Sequence, residues 1–385
     1  MTVYLDASAT APLHPAAREA MLRVWAQGQA NAASVHQAGA RAAREVETAR
    51  EIIATTFGIH PGGVIFTSGG TEANNLGIIG QLLAMKPAAS RRVLTTPVEH
   101  SSVLASCDFL HRFHGVAVDF LPVDATGRFH FDPHLFSEAP EPPALIAVGL
   151  ANAEVGSVND SSAVLATAEE RGVAVHIDAV QAAAQLPVGL SAGSWPGPGV
   201  TSLAIASHKF GGPQGVGALL LPRPVPLVPT MHGGSQEDGR RAGTSNVAGI
   251  AGFAAAVQAH ADTVGTRAVA LMTSRDELIA HMLREVPQAQ LTGHPTERLP
   301  GHASFVFAGV SGESLLVALD AAGYAVSSGS ACRAGTHGPS PVLIAMGVEE
   351  NLALSALRFS LPAPLDTADI QRIVSIIKAE VTRVI

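Results

Sequence analysis

Short apolar runs alternate with helix-periodic stretches through the first two thirds of the chain. Strands are expected at residues 64–67, 92–96, 116–121, 144–150, 173–178, 202–206 and 216–221. Helices are expected at 15–27, 38–57, 71–83 and 161–171; the first opens on a proline, where a missing N–H costs nothing. Several strand runs are apolar throughout, which suits strands covered by helices on both faces. The pattern therefore predicts an α/β fold with a mostly parallel central sheet. After a long helical stretch at 248–285 the rhythm changes. Short strands at 303–307 and 357–360, with helices at 314–322 and 367–384, predict a smaller α+β domain. The expected division is a large α/β domain over 13–259 and a small domain made of 1–12 and 260–385.

Composition narrows the class. A chain of 385 residues exceeds the roughly 250–300 at which single cores stop growing. Hydrophobic content of 47%, charged content of 15% and a net charge of −8 argue against disorder and against a general nucleic-acid surface. The first residues lack a basic leader, and no run offers about 18 apolar residues for a membrane span. A cytoplasmic protein is expected. Two cysteines, Cys107 and Cys332, cannot build a disulfide framework, and no Cys/His spacing suggests a metal site.

Lysine is scarce: Lys86, Lys209 and Lys378 stand among basic side chains that are otherwise arginine. Lys209 follows the 202–206 run and enters a glycine-rich turn, Phe210-Gly211-Gly212-Pro213-Gln214-Gly215. An arginine there stays protonated, whereas a desolvated lysine can shed its proton and form a Schiff base. Lys86 and Lys378, beside polar turn and terminal-helix residues, read as surface lysines.

Other candidates gather at strand ends, where open α/β sheets bind ligands. Asp178 closes the 173–178 run and can neutralise a protonated pyridine nitrogen; it also fits a helix N-cap. The turn Ser68-Gly69-Gly70-Thr71-Glu72 opens a helix, so its N–H groups and the Thr71 hydroxyl can cradle a phosphate, although it matches neither nucleotide-binding glycine motif. His100 follows the 92–96 strand and can stack on a flat cofactor or carry protons, or be a loop histidine. Cys332 lies in the polar loop Ser328-Gly329-Ser330-Ala331-Cys332-Arg333, where Arg333 favours the thiolate of an exposed nucleophile. Cys107, among apolar residues at helical spacing, reads as core.

Together with Glu99-His100-Ser101, Asp178-Ala179-Val180-Gln181, His208-Lys209 and the 233–244 segment, these motifs resemble the pyridoxal-phosphate-dependent cysteine desulfurases nearly end to end. The long loop bearing Cys332 is similar to that of the nitrogen-fixation and housekeeping iron–sulfur group. The resemblance implies the aspartate-aminotransferase fold, a homodimer, pyridoxal 5'-phosphate, and conversion of L-cysteine to alanine. The sulfur passes to Cys332 as a persulfide and on to an acceptor protein in iron–sulfur assembly or tRNA thiolation. Lys209 corresponds to the cofactor-bearing lysine and later base, Asp178 to the pyridinium partner and His100 to the residue over the ring. Gly70, Thr71, Ser207 and His208 correspond to the phosphate side, and Thr244 to a residue reaching the other subunit's site. Gln181 corresponds to a contact of the cofactor hydroxyl, with a shifted Asn152 as the other candidate for the asparagine contact that falls on Ala153, and Arg358 corresponds to the grip on the substrate carboxylate. Asn31 falls in the substrate-side loop. Three positions depart from the family: Ala153, where asparagine is usual, Ala206 for serine, and Arg333 for a small polar residue. The other readings are a selenocysteine lyase or another lyase or aminotransferase of this fold, or an inactive cofactor-binding scaffold in a sulfur-transfer complex.

Overall fold

The structure is a computed structural model that describes residues 2–86, 91–133, 142–328 and 338–384. Seven strands make the large sheet: β1 (Val64–Thr67), β2 (Arg92–Thr95), β3 (Ala117–Phe120), β4 (Leu145–Gly149), β5 (Ala174–Asp178), β6 (Ser202–Ala206) and β7 (Gly217–Leu220). Their spatial order is β1-β7-β6-β5-β4-β2-β3. The β6–β5, β5–β4, β4–β2 and β2–β3 pairs are parallel, while β7 runs antiparallel to both its neighbours. The reason is the turn at 207–216, which is too short for the dozen or so residues of a parallel crossover. β1, β4, β6 and β7 are buried throughout, as their unbroken apolar character requires.

A second, antiparallel sheet holds β8 (Ala289–Thr292), β9 (His302–Phe307), β10 (Ser327–Ser328) and β11 (Leu357–Ser360) in the order β8-β9-β11-β10. β8 and β10 escaped the sequence pattern because one mixes polar and apolar residues and the other has only two residues. The helix Val247–Glu285 runs 39 residues, roughly 58 Å. Its first half gives Ile250, Phe253 and Val257 to the core under the large sheet; its second half gives Leu271, Leu278 and Met282 to the core of the small one.

The N-terminal segment crosses between the two. Leu5 is buried in the small core, and Asp6 bridges to Ser360 on β11. Farther on, the Ala11 N–H donates to the His208 carbonyl at 2.9 Å and the His14 N–H to the Gly211 carbonyl at 2.7 Å. This close approach needs glycine at 211. Its φ is +78°, and a Cβ there would stand 2.8 Å from the Pro12 carbonyl oxygen. Gly211→Ala should therefore lower the urea-unfolding free energy by about 1–2 kcal/mol or more. Gly265→Ala, in a helix with open space around it, should instead raise stability by about 0.5–1 kcal/mol.

Candidate active site

The carboxyl ends of β1, β2, β5 and β6 share one edge of the large sheet, and the sequence-predicted residues collect there. Lys209 ends the single 3-10 turn that leaves β6. Its Nζ donates to the Ser8 carbonyl and, at 3.0 Å, to the Ala9 carbonyl. Gln181 Nε2 donates to the same Ser8 oxygen at 2.9 Å. The N-terminal segment is thus the floor on which the lysine and the glutamine meet. Beside Lys209, burial, with the nearby ammonium adding to it, pushes the His208 imidazole down to about 4. His208 Nδ1 and Ser207 Oγ are buried with no hydrogen-bond partner among the described residues. Buried polar atoms are normally hydrogen-bonded, so these two are free to meet an anionic group.

Asp178, at the end of β5, uses both carboxylate oxygens. Oδ1 accepts the Val180 N–H at 2.9 Å, closing its own turn, and Oδ2 accepts from Asn74 Nδ2 at 2.8 Å. His100 is the N-cap of the helix Ser101–His114: its Nδ1 accepts the Ser102 N–H at 3.1 Å and lies 2.8 Å from Ser102 Oγ, while the residue stays exposed. Its neighbour Glu99 is buried. Burial pushes the Glu99 carboxyl up to about 7 and nearby Asp178 adds to this, against hydrogen bonds from Thr96 and the Gly149 N–H. After β1, Gly70 opens a helix and exposed Thr71 sits in its first turn. The turn is braced by Glu72, which accepts the Ser68 N–H at 2.6 Å and pairs with Arg241 at 2.7 Å.

Two expected residues, Asn152 and Arg358, carry contacts that the sequence did not show. The Asn152 amide, expected against a cofactor hydroxyl, is committed to backbone: Nδ2 donates to the Val98 carbonyl, and Oδ1 accepts the Glu154 and Val155 N–H groups. A buried turn has to satisfy those groups, and this side chain is what reaches them. Arg358 is buried at 2% exposure rather than presenting an open fork; Nη2 pairs with Asp6 at 2.7 Å and Nη1 donates to the Ala153 carbonyl at 3.1 Å. Its Nε has no partner among the described residues. Ala153 thus contributes through its backbone. Asn31 and Thr244 are both exposed and line one surface cavity of about 450 Å³ with Trp25 and Arg41, which Lys209, Asp178 and His100 do not line. Cys332 lies outside the described residues. Cys107 is buried, and burial pushes its thiol up to about 12, which fits a core role.

Sequence reasoning missed Asp6, Asn74 and His176. His176 precedes Asp178 by two in the strand, so alternation places the two side chains on one face; a histidine in an otherwise apolar run was the available signal.

Residues 3–373 match the aminotransferase class-V family. The chain is 42% identical over 384 residues to an IscS-like cysteine desulfurase of Mycobacterium tuberculosis, covering 99% of this chain and 96% of that one. Among solved structures, a NifS-like protein aligns over the whole of both chains with a TM-score of 0.89 at 28% identity. SspA in complex with cysteine aligns over 95% of this chain and all of that one, with a TM-score of 0.78 at 29% identity.

The buried Glu99 gives a signed pH effect. Because its folded pKa is raised, it stabilises the native state fully below its ordinary value of 4.5, and that contribution is lost as pH rises through about 7. The difference in unfolding free energy between Glu99→Gln and the wild type should grow in the variant's favour from pH 4.5 to 7 by about 1–3 kcal/mol. A flat difference would mean that Glu99 is not held protonated.

Proposed function

The chain belongs to the aminotransferase class-V family and, within it, to the pyridoxal-phosphate-dependent cysteine desulfurases, and we propose that Lys209 and Cys332 divide the reaction between them. Lys209 bears the cofactor and later moves the proton at the substrate Cα; Cys332 takes the sulfur. The observation that carries this reading is the meeting at one sheet edge of Lys209, Asp178, His100 and His208. The residues fit the cofactor: an amine on a short turn, buried polar atoms of His208 and Ser207 that no described residue engages, and a carboxylate on the adjacent strand.

When bound, pyridoxal phosphate supplies an electron sink for the substrate's α-carbon. The residues do the rest. Asp178 would hold the ring nitrogen's proton, His100 would lie over the ring and carry protons, and Gln181 would meet the cofactor hydroxyl. Gly70, Thr71, Ser207 and His208 offer N–H, O–H and imidazole donors on the phosphate side. Arg358 orients the substrate carboxylate with the donors that Asp6 and Ala153 leave over; guanidinium carries five N–H bonds in a planar fork.

The sulfur step balances without an outside oxidant. The Cys332 thiolate attacks the substrate sulfur, the carbon–sulfur bond breaks with its electron pair staying on carbon, and that carbon takes a proton. L-cysteine and the Cys332 thiol become alanine and a Cys332 persulfide, which a sulfur-acceptor protein then discharges. We extend this to a cytoplasmic homodimer in which Thr244 serves the partner's site, supported by its exposure in a cavity that Lys209 does not line. Residues 13–259 form the cofactor-side unit; residues 1–12 and 260–385 form the unit that brings Asp6, Arg358 and the Cys332 loop.

Cys332→Ser should lose sulfide release from cysteine in the presence of dithiothreitol, falling by about a thousandfold or more, as removal of a covalent nucleophile does. The variant should keep the visible-absorption change when cysteine is added. Full turnover by Cys332→Ser would overturn the assignment.

A further inference from the structure

Neither Asn74 nor His176 has a part in the reaction above, yet both are buried directly behind it. His176 is fully buried on β5, and burial pushes its imidazole down to about 4, so the ring is neutral. The overlying helix comes close enough to seal it because residue 77 is glycine; any Cβ there would strike the imidazole ring. Gly77 lies in a π-helical turn, Leu76–Gly80, between the α-helical pieces Gly70–Asn75 and Gln81–Ala84. Such turns recur at functional sites.

Donor and acceptor counts give the cluster one direction. Asp178 Oδ2 can only accept, so the Asn74 amide turns its nitrogen to the carboxylate and its oxygen to His176 Nε2; Nδ1 of the neutral ring is then the acceptor of the Ser202 hydrogen, 2.7 Å away, and Ser202 Oγ accepts in turn from Gln81 Nε2 at 2.5 Å. A neutral ring then carries its proton on Nε2, which donates to Asn74 Oδ1 at 2.9 Å. With its oxygen held there, the Asn74 amide turns both hydrogens the other way. One goes to Asp178 Oδ2 at 2.8 Å and the other to Ser102 Oγ at 2.9 Å. Ser102, having accepted, directs its own hydrogen to His100 Nδ1. Reversing the amide would press its oxygen against the Asp178 carboxylate and leave two acceptors face to face.

We propose that Asn74 and His176 are positioning residues: the His176 Nε2–H sets which way the Asn74 amide faces, and Asn74 thereby holds Asp178 and, through Ser102, His100 in one fixed arrangement. The catalytic meaning rests on the roles given to Asp178 and His100 above. The hydrogen-bond direction does not, so it can be tested on the protein without cofactor.

Histidine-¹⁵N NMR of the cofactor-free protein at neutral pH, with His176 assigned by its loss in His176→Gln, should show Nε2 protonated and Nδ1 bare. A proton on Nδ1, or a charged ring, overturns the proposal whether or not the protein proves to be a desulfurase. In the loaded enzyme, Asn74→Leu should lower kcat for alanine formation by about ten- to a hundredfold, the range for a hydrogen bond to a charged group. KM for cysteine should stay within about twofold, since the substrate-side groups are untouched, and the absorption band of bound pyridoxal phosphate should shift. His176→Gln keeps an N–H donor and should retain most of the activity, whereas His176→Leu should match Asn74→Leu. Unchanged kcat and absorption in Asn74→Leu, or equal damage from His176→Gln and His176→Leu, overturns the proposal. Should the leucine variants fail to fold, the NMR result decides. A wild type that makes no alanine from cysteine defeats the desulfurase reading and leaves the ring-proton result standing.

Discussion

A lysine ammonium at the end of a buried strand must find acceptors, and here they come from backbone. Ser8 and Ala9 present their carbonyls to Lys209, and Ser8 accepts from Gln181 as well. Leaving such groups desolvated and unpaired would cost several kcal/mol, so the N-terminal segment has to be pinned on both sides of that contact. On one side Leu5 is buried in the small core and Asp6 pairs with Arg358. On the other, Ala11 and His14 donate to the lysine turn itself. The same few residues therefore tie the two cores together and define the floor of the site.

Electrostatics at the edge follow from what surrounds each group. Glu99 and Asp178 lie close enough to interact, yet Glu99 is sealed in and its carboxyl is raised, while Asp178 receives N–H groups from Val180 and Asn74. His176 is neutral because it is buried, and that neutrality gives it the one-donor, one-acceptor character the cluster behind Asp178 requires. Environment, more than residue type, assigns these side chains their work.

Much of this was legible in the sequence because it is local. Each strand of the large sheet was marked by its own apolar run, and each chemical residue by its place just after one, as with His100, Asp178 and Lys209. What could not be read depends on distant segments meeting. Arg358 read as a carboxylate grip, but nothing near it in sequence showed that a residue 352 positions away also pairs with it. Asn152 matched a cofactor contact, but the fold spends its amide closing a turn. Asn74 stands two residues after the phosphate-cradle motif, and only the packing of that helix over β5 gives it a partner on each side. β8 and β10 went unseen because their stability comes from their neighbours in the sheet rather than from their own sequence.

Lys209 is the proposed attachment point of the cofactor, and the scarcity of lysine makes that directly measurable. Borohydride reduction of the loaded protein, followed by proteolysis and peptide mapping, should place one pyridoxyl group on the peptide containing Lys209. Its appearance on Lys86 or Lys378 instead, or its absence from all three, would rule out Lys209 as the cofactor's anchor.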